Sequence, residues 1–102
     1  GLLTGKYNKP IIFEDGDHRN NIPDFRNEKI IKKMKLNKKL LEKRFSNFKN
    51  PVLHGLTSAL FNDAPNSCIL LGQRNIKQVD IASKLGLKLS KKDSDWVRSI
   101  YK

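Results

Sequence analysis

Apolar and cationic positions in the central part of the chain follow the spacing of an α-helix. From Asn27 onward the apolar residues fall on one broad stripe, and lysines lie opposite it. Because residues three and four apart share a helix face, this pattern predicts an amphipathic helix that ends near Phe48. The stripe consists of Ile30, Ile31, Met34, Leu41, Phe45 and Phe48.

A second helix is predicted directly afterwards. Asn50 suits an N-cap, and Pro51 suits the first helical position, where a missing N–H group costs nothing. Pro65 cannot continue a helix, so we expect this one to end near Asn62. Its apolar face is formed by Leu53, Leu56, Ala59 and Leu60.

The apolar run at residues 68–71 (CILL) has a different character. It is too short and too uniformly apolar for an amphipathic helix, and such runs are typical of strands buried on both faces of a parallel sheet. A lone strand leaves its backbone groups unpaired. We therefore expect one short buried strand at 67–72, with the rest of the sheet elsewhere, in a chain that is a piece of a longer protein.

Two further helices complete the prediction. Gly86 ends the third helix, and Ser90 with Asp93 forms a capping box for the fourth. Residues 1–25 follow neither the helical nor the strand period, so we expect a long loop, which in compact domains is often functional. The apolar faces of the two helices comprise Ile76, Val79, Ala82 and Leu85 in the third, and Trp96, Val97 and Ile100 in the fourth.

Composition narrows the setting of the protein. The net charge is +11 and 37% of residues are apolar. No apolar run approaches the ~20 residues that span a bilayer, and the first residues lack the charged and apolar regions of a signal peptide. The single cysteine, Cys68, cannot form an internal disulfide. We therefore expect a reducing, cytoplasmic setting without membrane association.

The turn after the predicted strand carries the most informative chemistry. Gly72 lets the backbone approach an oxyanion, and Arg74 offers a planar guanidinium suited to phosphate. The helix that opens at Asn75, with Gln78 in its first turn, presents unpaired N–H groups and the positive end of its dipole. Strand, glycine turn and helix start together predict a phosphate-binding site.

Two segments give this arrangement a family resemblance. Residues 1–7 (GLLTGKY) resemble the G-x-L-T-G-K-Y segment that follows the seventh strand of aldo/keto reductases. Residues 69–75 (ILLGQRN), with Gln78, resemble the eighth strand and the cofactor loop of the same family. The loop at residues 17–25 and the helix at 56–60 also look like the corresponding parts, so the resemblance covers essentially the whole chain.

The resemblance implies an α/β fold in which this chain is the C-terminal fragment of a (β/α)8 TIM barrel. The implied segments are a cofactor loop at 1–26, helices at 27–62, the last barrel strand at 67–72 and terminal helices at 75–102. The implied function is that of an NADP-dependent oxidoreductase for a small-molecule carbonyl or sugar substrate. The chain would supply the adenosine-phosphate side of the NADP site, where loops after strands 7 and 8 commonly bind phosphate. The implied cofactor-binding residues are Gly1, Lys6, Arg19, Gly72, Arg74 and Gln78.

The sequence departs from the family pattern in two respects. The family usually has Glu and Asn at the positions of Ile81 and Ala82, which leaves the adenine contacts open. The Asp, Tyr, Lys and His of the family's catalytic tetrad come from earlier strands, and none of the residues here matches them. We therefore assign no catalytic residue to this chain, although the resemblance implies that the parent protein is an enzyme.

The lysine-rich helix from Lys29 to Lys49 supports an alternative function. Clustered cations release counterions from a nucleic-acid backbone, so a non-catalytic basic module that binds nucleic acid or an acidic partner is the second hypothesis. Against it, no exposed aromatic residues interleave with the lysines. His18 and His54 have no ligating residues at metal-site spacing, so no metal site is expected.

Overall fold

The computed structural model describes residues 1–102 and contains four α-helices and no β-strand. Two short 3-10 helices, His18–Asn21 and Pro23–Arg26, come first. The chain divides into two compact units, Gly1–Leu40 and Leu41–Lys102, and the division falls within the first helix. The α-helices are α1 (Glu28–Arg44), α2 (Pro51–Asp63), α3 (Ile76–Ala82) and α4 (Lys91–Tyr101).

The predicted α/β fold class is wrong, and so is the interpretation of the chain as a barrel fragment with a last strand at 67–72. Residues 67–74 have no regular secondary structure. Cys68 is exposed and Leu70 is 96% exposed. A strand needs a second strand to pair its N–H and C=O groups. The chain supplies none, so the apolar run has no sheet to join and remains at the surface.

In the first unit, the N-terminal loop lies directly on α1. Gly5 has a positive φ of 65°, and a Cβ atom there would lie only 2.6 Å from the carbonyl oxygen of Met34. Further along the loop, the Ile11 N–H donates to the Phe25 carbonyl at 3.0 Å. Ile31 and Met34 are buried, as their place on the apolar stripe predicts.

In the second unit, the core is formed where α2 packs on α4. Its buried apolar residues are Leu41, Phe45, Ala59 and Val97. Gly55 permits the close approach of α2, because a Cβ atom at this position would lie 2.8 Å from Leu41 Cδ2 and 3.0 Å from Phe45 Cε2. The tight packing therefore depends on a residue without a side chain.

Local capping signals place the helix starts well. Ser90 Oγ accepts from the Asp93 N–H at 3.0 Å, which confirms the predicted cap of α4. α2 begins at Pro51 as predicted, but the side chain of Asn50 makes no capping hydrogen bond. α1 ends at Arg44, a few residues before the predicted end near Phe48, because residues 45–47 form a turn.

Two predicted apolar faces are only partly buried. On α3, Ile76 is 88% exposed and Val79 is 50% exposed, so this helix does not bury the face that the periodicity assigned to it. On α2, Leu60 is exposed while polar residues of the same helix are buried. These buried polar residues are His54, Thr57 and Ser58. No helix of the chain is both long enough and apolar enough to cross a membrane.

Candidate anion-binding loops

The six predicted cofactor-binding residues fall into two groups of three. Gly1, Lys6 and Arg19 belong to the first unit, and Gly72, Arg74 and Gln78 belong to the second. The first group belongs to the N-terminal loop region, and the second belongs to the loop before α3 and the first turn of that helix.

The turn before α3 is held by its own side chains. The Arg74 N–H donates to Gln78 Oε1 at 2.6 Å, and the Gln78 N–H donates to Asn75 Oδ1 at 3.0 Å. Asn75 is the N-cap of α3, as its position predicts. These reciprocal bonds fix the backbone of the turn, and they occupy the side-chain oxygen of Gln78. The role of Gln78 in this structure is thus to shape the turn.

The guanidinium of Arg74 is exposed and has no hydrogen-bond or ion-pair partner in the chain. Beside it, Gly72 is surrounded by open space, since a Cβ atom there would meet no atom within 4 Å. An Arg fork with all its donors available on a fixed backbone is well suited to a phosphate group. The ion pair closest in sequence, Lys84 with Asp80 at 2.9 Å, leaves Arg74 uninvolved.

Arg19, by contrast, is already engaged. Its Nε donates to Asp17 Oδ1 at 2.9 Å and to Oδ2 at 3.0 Å, and its Nη2 also bonds Asp17 Oδ2. The guanidinium carbon lies 3.9 Å from the centre of the Phe13 ring. Hydrogen bonds from Arg19 hold the pKa of the Asp17 carboxyl well below its usual range, and the same contacts raise the pKa of Arg19. An incoming phosphate would have to compete with this carboxylate.

Three aromatic rings organise the loop around that pair. Tyr7, Phe13 and Phe25 pack edge to face, with ring centres 5.1 to 6.2 Å apart. Such pairs stabilise a structure beyond the area they bury. No sequence pattern indicates this cluster, since the three positions follow no helical or strand period. The spacing of Asp17 and Arg19 in a polar loop was the available signal for the ion pair.

Gly1, Lys6 and Arg19 share one positive environment. The charges of Lys6 and Arg19 both act at the position of Gly1. Lys6 makes no ion pair, and its Nζ lies 5.9 Å from the centre of the Tyr7 ring. Lys6 is therefore a cation of this loop that can bind an anion without breaking an ion pair.

His54 is a buried core residue of α2. Its ring stacks on Phe48 with centres 3.7 Å apart and meets Phe45 edge to face at 5.5 Å. Nδ1 lies 3.3 Å from Ser58 Oγ, whereas Nε2 has no hydrogen-bond partner. Burial lowers the pKa of this imidazole. Residues 1–102 contain no cluster of His, Cys, Asp or Glu side chains that could hold a metal ion.

Comparison with known proteins assigns no family to the chain. No family model, no curated protein and no solved structure matches it. The resemblance to aldo/keto reductases therefore stays a prediction from the two sequence segments. The function has to be argued from the loops themselves.

Proposed function

We propose that this chain contributes the adenosine-phosphate side of an NADP site in an oxidoreductase of the aldo/keto reductase type. The observation that carries the proposal is the exposed, unpartnered guanidinium of Arg74 on a turn fixed by Gln78. This group is the ligand we assign to the phosphate on the 2′-oxygen of the adenosine ribose. Open space at Gly72 leaves room for that phosphate beside the backbone.

The chemistry of Arg74 favours this ligand. A guanidinium binds a phosphate through two parallel, charge-assisted hydrogen bonds, and it is always protonated near neutral pH. The dinucleotide without the 2′-phosphate offers no anion at this place, so Arg74 selects NADP over NAD. When bound, the reduced cofactor NADPH would supply the hydride, and NADP+ would accept it in the reverse direction. None of the residues 1–102 is assigned to the reacting carbonyl or sugar, so this chain's part is to hold the cofactor.

The loop of the first unit has a divided role in this proposal. Lys6, with the backbone of Gly1 nearby, is the group available for a cofactor phosphate. Arg19 acts mainly as the partner of Asp17, because two of its nitrogens already bind that carboxylate. We therefore expect replacement of Arg19 to affect the folding of the loop as well as any anion it binds.

A pair of small ligands tests the proposal on the 102-residue chain. Adenosine 2′,5′-bisphosphate and adenosine 5′-phosphate differ only by the 2′-phosphate. Titrations followed by amide and Arg side-chain NMR signals should show larger shifts with the bisphosphate, concentrated at residues 72–75 and at Arg74 Nε. We expect weak affinity, in the millimolar range, because only part of a dinucleotide is bound.

Two outcomes would count against the assignment. Equal shifts with both nucleotides would mean that nothing in this turn recognises the 2′-phosphate. Shifts confined to the lysines of α1 would mean that the nucleotides bind by general electrostatic attraction.

One observation favours a second candidate, a nucleic-acid-binding module. The basic residues of α1 far outnumber its two acidic residues, Glu28 and Glu42, and most of its lysines are exposed. Among them, Lys32 is the one paired with Glu28, at 3.2 Å. The helix exposes no aromatic ring for base stacking, so backbone phosphates are the target it suits. The exposed lysines are Lys29, Lys32, Lys33, Lys35, Lys39 and Lys43.

Salt dependence of duplex binding discriminates this candidate. Fluorescence anisotropy with a labelled duplex of about 20 base pairs measures how the binding constant depends on salt concentration. The logarithm of the binding constant should fall less steeply with the logarithm of the salt concentration when Lys32 and Lys39 are both replaced by Gln. The slope should become smaller in magnitude by about 2, since each phosphate contact contributes about 0.9. An unchanged slope, or the absence of binding at low salt, would rule out the nucleic-acid-binding candidate.

A further inference from the structure

The second unit contains a pocket that the proposed cofactor loop does not use. Its volume is about 620 Å³, within the range of small-molecule sites. It lies between the C-terminal end of α2, residues 86–88 and one face of α4. Gly72, Arg74 and Gln78 are not among its lining residues, so the pocket is a separate feature.

One part of the lining is apolar. Phe61, Pro65 and Leu87 line the pocket. Gly86 has a positive φ of 97°, and its α-carbon region lies against the Phe61 ring, since a Cβ atom there would be 3.6 Å from Phe61 Cε2. This turn after α3 leaves Leu87 56% exposed. The pocket thus offers an apolar surface that is open to solvent.

The other part of the lining is cationic. Lys88, Lys91 and Arg98 line the pocket, together with one carboxylate, Asp63. Arg98 pairs with Asp63 at 3.1 Å, and Lys91 pairs with Asp95 at 2.9 Å. The ammonium of Lys88 has no partner in the chain. Positive charge therefore exceeds negative charge along this lining, and Lys88 is the group free to bind an anion.

Ser94 adds a buried polar group to the same lining. Its side chain is 1% exposed, and its Oγ has no hydrogen-bond partner. Buried hydroxyls normally have a partner, because an unsatisfied one costs about 1–3 kcal/mol. Ser94 lies on the α4 face that also carries Lys91 and Arg98, three and four residues away.

We propose that this pocket binds a small organic anion with an apolar body. The apolar body packs against Phe61, Pro65 and Leu87, while the anionic group pairs with Lys88. Neither half of the lining suffices alone. An inorganic anion gains nothing from the apolar residues, and a neutral apolar molecule gains nothing from Lys88.

Binding of 8-anilinonaphthalene-1-sulfonate to the full 102-residue chain provides the test. The dye should bind with a stoichiometry of one and be displaced by octanoate. The matched neutral compound octanol and inorganic phosphate should each displace it at least tenfold less effectively. Displacement by octanol as effective as that by octanoate would overturn the anionic part of the proposal. Displacement by phosphate alone would overturn the apolar part.

Paired substitutions locate the site. Leu87→Asp and Lys88→Glu should each weaken dye binding at least tenfold. Leu70→Asp and Lys92→Glu, which change exposed residues outside the pocket, should leave it unchanged. Helical content from circular dichroism shows that all four variants are folded. If the two control variants weaken binding as much as the pocket variants, or if Leu87→Asp has no effect, the dye binds elsewhere and the proposal fails.

Discussion

At the scale of single residues, His54 links burial to pH. The imidazole is 3% exposed and its Nε2 has no partner, so the folded chain resists protonating it, which lowers its pKa. The unfolded chain binds the proton near pH 6.5. Below that value the unfolded state holds more protons at this residue than the folded state. Its contribution to stability is therefore present above pH 6.5 and is lost as the pH falls.

Replacement of His54 tests this directly. His54→Phe keeps an aromatic ring against Phe48 and removes the titration. Chemical denaturation should show that the wild-type chain loses stability as the pH falls below 6.5, and that the variant loses less. His18→Gln is the matched control, because it removes the other histidine of the chain, which is exposed. The same slope in the wild type and the Phe variant would mean that His54 titrates normally.

Gly55 is the residue on which the packing of the second unit depends most clearly. In an ordinary helix Ala is more stable than Gly by about 1 kcal/mol. Here the added methyl group would meet Leu41 and Phe45 inside the core. We expect Gly55→Ala to destabilise the chain by about 1–3 kcal/mol, because overpacking outweighs the helix propensity.

Gly72→Ala is the control for that experiment, since a Cβ atom at Gly72 meets open space. Urea denaturation should show no loss of stability for Gly72→Ala. A Gly55→Ala variant as stable as the wild type would show that the core adapts at no cost.

At the scale of elements, the start of α4 is tied to the end of α1 by one ion pair. Asp93 Oδ1 accepts from Arg44 Nε and Nη2, each at 2.8 Å, and Arg44 also lies 4.3 Å from the Trp96 ring. The hydrogen bond from Arg44 lowers the pKa of Asp93. A carboxyl group with a lowered pKa stabilises the fold above its unfolded value of 3.8, and this is lost as the pH falls through the folded value.

Asp93→Asn should therefore destabilise the chain by about 1 kcal/mol at pH 7, the size expected for a half-exposed pair at a helix start. Its deficit relative to the wild type should shrink as the pH falls below 3.8. Asp80→Asn, which breaks the exposed pair with Lys84 on α3, should have a smaller effect. Thermal unfolding at pH 7 and pH 3 measures both. An Asp93→Asn deficit that persists at pH 3 would show that the carboxylate charge is not its cause.

The elements were predictable where the signals are local. Asn75 and Ser90 cap the helices that they precede, and the stripe on α1 buries Ile31 and Leu41 as expected. The predicted strand at 67–72 is absent, because a strand requires a partner strand, which the apolar pattern of one short run does not reveal. Helix α3 forms, but its predicted apolar face stays exposed for a related reason, since no neighbouring element covers Ile76 and Val79.

In the candidate site, too, only the features set by neighbouring residues in the sequence could be predicted. The helix start at residues 75–76 follows from short-range residue preferences and is found, with Asn75 as its N-cap. The engagement of Arg19 by Asp17 and the occupation of Gln78 by the turn depend on side-chain geometry that composition does not reveal. The pocket beside Ser94 depends on how α2 and α4 pack, so no local pattern indicates it.

At the scale of the whole molecule, a chain with a net charge of +11 attracts many anions, and the question is which of them it recognises. General attraction weakens with salt and depends little on the position of one phosphate. Recognition of a 2′-phosphate instead requires one guanidinium group, that of Arg74, at a fixed position. The proposal therefore depends on selectivity between ligands rather than on affinity for either of them.

The ratio of two dissociation constants measures that selectivity. In the wild-type chain, adenosine 2′,5′-bisphosphate should bind at least tenfold more tightly than adenosine 5′-phosphate. Arg74→Ala should weaken the bisphosphate about ten- to a hundredfold, the value of a charge-assisted contact of about 1.5–3 kcal/mol, and leave the monophosphate nearly unchanged. Lys49→Ala, which removes an exposed cation elsewhere, should leave the ratio intact. A ratio that Arg74→Ala does not change would contradict the assignment of this chain to an NADP site.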